Sequence, residues 1–273
     1  MERSTKELSN SNQELKQAIA KKDSLIAEKD SLNYQLSYNA SLQLQVEAEN
    51  YKLRKEKTES IIVSPTLARD PKLQGQWRLW RPGVTLKVRF LDGDEGLKTA
   101  VRNHASVWSR YANINFDFDA TDEDASIRVT FGQPGSWSAI GVDALTIPQD
   151  SATMNLGLIR GAFPQDMARI IRHEFGHVLG LIHEHQSPNA TIRWNKDKVF
   201  AYYESPPNSW SRAMIEKTIL DKYPEFKNPE YRQFDPESIM MFPIPEGLAD
   251  ITVGWNQELS ESDKQFVAQL YPR

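Results

Sequence analysis

The sequence predicts an α+β domain over residues 74–273, preceded by a helical segment over residues 1–60 and a linker over residues 61–73. Residues 1–60 contain no Gly, Pro, Trp or Phe, whereas the chain beyond Trp77 is rich in both apolar and turn-forming residues. In that second part, segments with the alternation of β-strands are interspersed with segments of helical periodicity. The order of strand, helix, strands and helix predicts a mixed sheet packed with two long helices.

Four segments have the pattern of β-strands. The first, "TLKVRFL", alternates apolar and charged side chains from residue 85 onward, as a half-buried strand does. The segments "INFDFDA", "SIRVTF" and "SATMNLGLI" are further candidates.

Three helices are predicted in the same domain. Residues 95–112 place apolar side chains on one helical face. A second helix begins near Pro164, because proline is well tolerated in the first turn. The tail "LSESDKQFVAQLYPR" forms the last helix, and the spacing of Ser260 and Asp263 resembles a capping box.

The N-terminal segment leaves two interpretations open. Its composition permits a helix, and its leucines and isoleucines recur at heptad-like spacing. The heptads are out of register, however, and Lys22 and Lys29 stand where a seam requires leucine. The segment is either a solvated helical spacer or a coiled coil through which the protein self-associates.

Composition excludes several classes of function. The formal charge is −4 and the pI about 5.8, without a basic stripe, so we expect no nucleic-acid partner. The chain has no cysteine, which excludes disulfides, thiolate metal sites and a cysteine nucleophile. No apolar run approaches the length of a membrane span, and no signal peptide is visible. The compartment stays undecided between the cytoplasm and export by a route that the sequence does not show.

The stretch "HEFGHVLGLIHEH" holds four of the five histidines. On a helix, His173 and His177 project from the same face, one turn apart. Gly180 lies where a helix ends most easily, because glycine accepts a left-handed conformation. A turn there can bring His183 back toward the first two imidazoles.

Three neutral imidazoles with an open coordination position are typical of a catalytic zinc ion. Glu174, beside the first histidine, can reach a metal-bound water and act as general base. Of the remaining histidines, His185 is expected beside the metal ligands or at the surface and not as a ligand itself, and His104 is interpreted as structural.

These residues resemble a known motif. "HEFGHVLGLIHE" is similar to the extended zinc-binding motif of the metzincin metallopeptidases, and Glu184 after the third histidine resembles the astacin branch. Within "DPESIMMFPIP", the segment Ser238–Met240 is similar to the Met-turn of those enzymes. The resemblance covers residues 74–273.

The resemblance implies a two-lobed zinc endopeptidase with one catalytic zinc ion and a protein or peptide substrate. In such an enzyme a zinc-activated water attacks the peptide carbonyl, and Glu174 serves as general base. Met240 would form an apolar floor under the histidines. The substrate would lie extended along an edge strand at Met154, Asn155 and Leu156.

The chain departs from the astacin pattern at two positions. Phe242 replaces the tyrosine expected two residues after the Met-turn methionine, at a site expected to border solvent. In astacins the counterpart of Glu184 contacts a buried, processed N-terminus, so Glu184 needs another partner here unless the chain is cut.

A different class of function is also compatible with the motif. The domain could be a zinc-stabilised, inactive binding module whose N-terminal helix oligomerises the protein. The intact Glu174 favours the peptidase, because a binding module does not require a general base.

Overall fold

The architecture is seen in a computed structural model of the chain. The structure describes residues 79–273 apart from 122–123, 134, 207 and 224–232, together with residues 17, 19, 21 and 22. The proposed helix over residues 1–60 and the linker 61–73 therefore lie outside the described residues, except for those four. In the described part of the chain, no helix is long and apolar enough to cross a bilayer.

A five-stranded mixed sheet forms the centre of the domain, and it contains all four predicted strands. The strand order is β2-β1-β3-β5-β4, and only the pairing of β4 with β5 is antiparallel. The strands are β1 (Thr85–Phe90), β2 (Asn115–Asp117), β3 (Ile127–Thr130), β4 (Ser136–Ser138) and β5 (Met154–Leu156).

The prediction that Met154, Asn155 and Leu156 form the edge of the sheet is wrong. These residues are strand β5, which pairs with β3 on one side and with β4 on the other. Strand β4 is the terminal strand of the sheet. The sequence does not indicate β4, because three residues are too few to establish an alternation of apolar and polar side chains.

Within the described residues from 79 onward, five α-helices surround the sheet or follow it: α1 (Glu95–Ala105), α2 (Pro164–Val178), α3 (Lys196–Glu204), α4 (Arg212–Ile215) and α5 (Glu261–Leu270). Helix α4 continues into a π-helical turn over Glu216–Leu220. Pro164 is in the first turn of α2, and α5 begins with the predicted capping box of Ser260 and Asp263.

Helix α1 is shorter than the predicted helix over residues 95–112. It ends at Ala105, where the Ser106 hydroxyl donates a hydrogen bond of 2.6 Å to the Arg102 carbonyl. Serine in this position competes with the regular helical hydrogen bonds. A 3₁₀ turn over Trp108–Arg110 follows and keeps Trp108 buried, which explains why the apolar periodicity extends past the helix end.

Two hydrophobic cores give the domain its two lobes. The first core joins the sheet with α1, α2 and α5, and it includes Met240. The second core joins α3 and α4 with the segment from Met241 to Val253. The chain therefore passes from one core into the other directly after Met240. Burial in separate cores accounts for the two-lobed architecture that the resemblance implies.

The C-terminal end of α2 is held by side chains from both ends of the domain. The Trp80 indole N–H donates to the Val178 carbonyl at 2.7 Å, and the Tyr271 hydroxyl donates to the Leu179 carbonyl at 2.7 Å. These carbonyls belong to the last turn, whose acceptors have no partner within the helix. The two donors thereby stabilise the point at which the chain leaves α2.

We predict that Tyr271→Phe lowers the free energy of unfolding by about 1–3 kcal/mol, because it leaves the buried Leu179 carbonyl without its donor. Urea unfolding of the purified variant measures the loss. Tyr203→Phe is the matched control, because Tyr203 is a buried tyrosine of the second core whose hydroxyl has no hydrogen bond among the described residues. An equal loss in both variants would show that the bond to Leu179 has no special importance.

Candidate active site

Two histidines of α2 are oriented by backbone carbonyls. Nδ1 of His173 lies 2.8 Å from the Ile239 carbonyl oxygen, and Nδ1 of His177 lies 2.8 Å from the Leu181 carbonyl oxygen. A carbonyl can only accept, so each Nδ1 carries the proton and each Nε2 presents its lone pair. Both imidazoles therefore offer Nε2 on the same face of the helix.

The turn at Gly180 brings the third histidine to this face. Gly180 has φ of 87°, the left-handed conformation that favours glycine, and its N–H donates to the His177 carbonyl at 2.9 Å. Beyond this turn, Nε2 of His183 lies 3.3 Å from Nε2 of His177. The ligand atoms of the two histidines and His173 all lie within 4.8 Å of one another.

These three imidazoles fit a zinc ion. Tetrahedral zinc holds nitrogen ligands at about 2.0–2.1 Å, which requires ligand atoms about 3.3 Å apart. All three side chains are buried, and Nε2 of His173 has no hydrogen-bond partner among the described residues. Burial lowers the pKa of His173 well below its usual value, and the charge of His177 lowers it further. Burial, His177 and His173 likewise lower the pKa of His183, so these two imidazoles are neutral and able to bind a metal.

The comparisons with known proteins agree with this geometry. A family model described as "Astacin", a family of peptidases, matches residues 72–272. The chain belongs to the astacin family. It is therefore a zinc metallopeptidase of the metzincin type, as the sequence motif predicts.

Solved structures support the astacin assignment. A structure of myroilysin is 38% identical, with a TM-score of 0.68 over 73% of this chain and 98% of that chain. A second myroilysin crystal structure is 39% identical, with a TM-score of 0.56 over 72% of this chain and 87% of that chain. A hatching enzyme zinc-protease from the medaka fish Oryzias latipes shares the fold at 19% identity, with a TM-score of 0.50 over 71% of this chain and 94% of that chain. Among curated protein sequences, none matches the chain.

The astacin Met-turn segment lies against the histidine face of α2. A Cβ atom placed on Gly176 would lie 2.3 Å from Sδ of Met240 and 3.2 Å from the Trp108 ring. Only a residue without a side chain allows the thioether to approach the helix this closely between His173 and His177. The position of Met240 supports its predicted role as an apolar floor, and Gly176 is a residue that the sequence analysis did not single out.

Glu184 connects the third histidine with the Met-turn. Its backbone N–H donates to the Met240 carbonyl at 3.0 Å, and its carboxylate accepts from the Asp235 N–H at 2.9 Å. Glu184 therefore has the alternative partner that the sequence analysis called for, and it is the backbone N–H of Asp235, at the start of the loop that carries the Met-turn. A backbone donor, unlike a second charged side chain, cannot be identified from the sequence.

Phe242 is not at a solvent-facing position, contrary to the prediction. It is buried in the second core, and its ring centroid lies 5.2 Å from that of His183 in an edge-to-face arrangement. A hydrocarbon ring there packs against the imidazole and donates no hydrogen bond.

Among the described residues, the group of possible metal ligands does not include the other two histidines. His185 is buried and stacks on His183 at 5.5 Å, while its Nε2 lies 3.0 Å from the Thr218 carbonyl. Burial lowers the pKa of His185 to about 4, so the ring is neutral near pH 7. His104 lies on α1, outside the histidine cluster.

We predict that Gly176→Ala destabilises the protein, although alanine is normally better than glycine inside a helix by about 0.5–1 kcal/mol. The added methyl group would overlap with Met240, and overpacking of this kind costs about 1–3 kcal/mol. Chemical unfolding of the variant measures the change.

A double-mutant cycle with Met240→Ala isolates the contact. In the Met240→Ala background the overlap with the thioether is gone and only the 3.2 Å approach to the Trp108 ring remains, so Gly176→Ala should cost much less stability than in the wild type. The same loss of stability in both backgrounds would mean that Met240 is not the cause.

Proposed function

We propose that the protein is an endopeptidase whose zinc ion is held by His173, His177 and His183 and whose general base is Glu174. The convergence of one ring nitrogen from each of the three histidines within 4.8 Å is the observation that carries the proposal. The N–H···O=C contacts of His173 and His177 support it further, because such contacts are typical of metal-bound histidines.

Glu174 is suited to proton transfer by its position. It is fully buried in α2, next to His173, within the electrostatic influence of the buried Arg169 guanidinium. Arg169 itself is held by ring stacking, with its guanidinium carbon 4.0 Å from the centroid of Trp255. A carboxylate buried beside the first histidine is held in one place, and its proton transfer does not compete with bulk water.

When bound, zinc polarises the scissile carbonyl and makes the attacking water more acidic. Glu174 accepts the proton of that water and transfers it to the nitrogen of the leaving amine. His173 and His177 take no part in proton transfer, since their Nδ1 protons are engaged with backbone carbonyls.

The substrate, a protein or peptide, adds to the sheet at β4. This strand replaces Met154, Asn155 and Leu156 in the role that the sequence analysis assigned to them, because the backbone groups of β5 are already paired on both sides. An extended peptide beside β4 gains main-chain hydrogen bonds of the same kind. In this arrangement β5 pairs with β4 on the side opposite to the substrate.

The alternative, an inactive binding module, is not favoured. Its chemistry requires only the three histidines, whereas the chain retains a buried glutamate next to the first of them. A fluorogenic peptide assay separates the two functions: cleavage that is lost with a chelator and restored with zinc supports the peptidase. A purified, zinc-loaded protein that cleaves no peptide would favour the binding module.

We predict that Glu174→Gln reduces kcat by about two to four orders of magnitude, because glutamine cannot accept the proton. The fold and the zinc content should stay unchanged, which thermal unfolding and elemental analysis check. Glu246→Gln, at an exposed glutamate, is the control and should retain full activity. Near wild-type turnover of Glu174→Gln would mean that another group is the base.

We also predict that removal of residues 1–60 leaves the hydrolysis of short peptides unchanged, because the family match begins only at residue 72. Light scattering of the full chain and of the truncated chain tests the self-association proposed for this segment. A lower mass per particle after truncation, beyond the loss of the segment itself, would support a coiled coil. A truncated chain that fails to fold would show instead that the segment packs on the catalytic domain.

A further inference from the structure

We propose that Asp263, the acidic residue of the α5 capping box, is a positioning residue for the zinc site. It holds the Met-turn at the distance from α2 that His173 requires. The inference rests on the proposed ligation of zinc by His173, and it concerns a side chain far from that histidine in the sequence.

The contacts of Asp263 exceed those of a helix cap. Its carboxylate is fully buried. Oδ1 accepts from the Ser238 hydroxyl at 2.7 Å, and Oδ2 accepts from the backbone N–H of Ile239 at 2.7 Å and of Ser260 at 3.0 Å. A capping box needs only the bond to Ser260. The other two donors belong to the Met-turn.

The Met-turn passes this constraint to the metal site through one residue. The N–H of Ile239 donates to Asp263, and its carbonyl accepts from Nδ1 of His173 at 2.8 Å. The Ser238 hydroxyl that donates to Asp263 also accepts from the Met240 N–H at 3.0 Å. The buried carboxylate thus holds Ser238 and Ile239 directly and Met240 through the Ser238 hydroxyl. Hydrogen bonds to a charged acceptor are about twice as strong as neutral ones.

Outer partners of this kind affect metal binding measurably. A group that fixes the ring of a metal-bound histidine typically changes metal affinity by about 10–100-fold when it is removed. Asp263 acts on His173 through one intervening residue, and it is charged and inaccessible to solvent, so its removal should have an effect within this range.

Another helix of the same domain provides a matched control. Asp94 caps α1 by accepting from the Leu97 N–H at 2.9 Å, and it is exposed. Removing either carboxylate takes away a helix cap, but only Asp263 contacts the Met-turn. A purely structural role of the buried Asp263 would lower the unfolding midpoint, by more than the loss of the exposed Asp94 does, and would leave the zinc affinity unchanged in both variants.

The test is a competitive zinc titration of the metal-free full-length protein, together with thermal unfolding in the absence of metal. We expect Asp263→Ala to weaken zinc binding by about 10–100-fold. Asp263→Asn, whose amide oxygen can still accept from Ile239, should weaken it by about tenfold or less but by more than about twofold. Asp94→Ala should lower the unfolding midpoint and leave the zinc affinity unchanged.

The proposal is overturned if the Asp263 variants lower the unfolding midpoint as Asp94→Ala does and bind zinc with wild-type affinity. If Asp263→Ala does not fold, Asp263→Asn decides by the same criterion. His173→Ala in the same titration tests the proposed ligation separately. If His173→Ala binds zinc with wild-type affinity, the proposed zinc site itself is rejected. If His173→Ala loses zinc affinity while the Asp263 variants keep it, only the role of Asp263 is rejected.

Discussion

The hydrogen bond between His173 Nδ1 and the Ile239 carbonyl is the contact on which the rest of the site depends. It joins α2 with the Met-turn, at the point where the chain passes from the first hydrophobic core into the second. The same bond sets the tautomer and direction of the imidazole. Ile239 and α2 both belong to the first core, so the direction of this proposed zinc ligand is set within one lobe.

Steric constraints maintain this contact from the side of the helix. Gly176 leaves room for the thioether of Met240 directly between the turns that carry His173 and His177. Gly180 supplies the left-handed turn after which His183 approaches the other two. The two glycines have different functions: Gly176 allows close packing against the helix, and Gly180 ends the helix. Neither function tolerates a side chain.

The polar groups around the Met-turn explain how a domain without cysteine keeps its active site in place. Glu184 binds the start of the turn loop at Asp235, and Asp263 binds its centre at Ser238 and Ile239. Each is a buried carboxylate that accepts from protein donors, which is the condition under which a buried charge is tolerated. Helix α5 is thereby linked to the site although it contributes none of the three histidines.

Local patterns in the sequence were sufficient for the strands and helices with clear periodicity, for the astacin motif and for the capping box of α5. They were insufficient for β4, which is too short to show a period, and for the length of α1, because a 3₁₀ turn continues the same apolar face. They also led to the wrong prediction that Phe242 borders solvent. Its burial in the second core depends on α3 and α4, and no strong sequence pattern predicted these two helices. Local patterns of this kind predict contacts within one helix or strand, and they do not predict contacts between elements that are distant in the chain.

The sequence alone thus determined the class of enzyme and its metal, through the resemblance of its histidine motif to that of the metzincins. The residues proposed to bind the metal could also be named, because a helix of fixed pitch places His173 and His177 together wherever it forms. The tertiary structure decided which strand is at the edge of the sheet, which donor binds Glu184 and what holds the Met-turn. These features join residues that are distant in the chain through backbone N–H and C=O groups. Every residue except proline carries both groups, so no sequence pattern distinguishes the ones that meet.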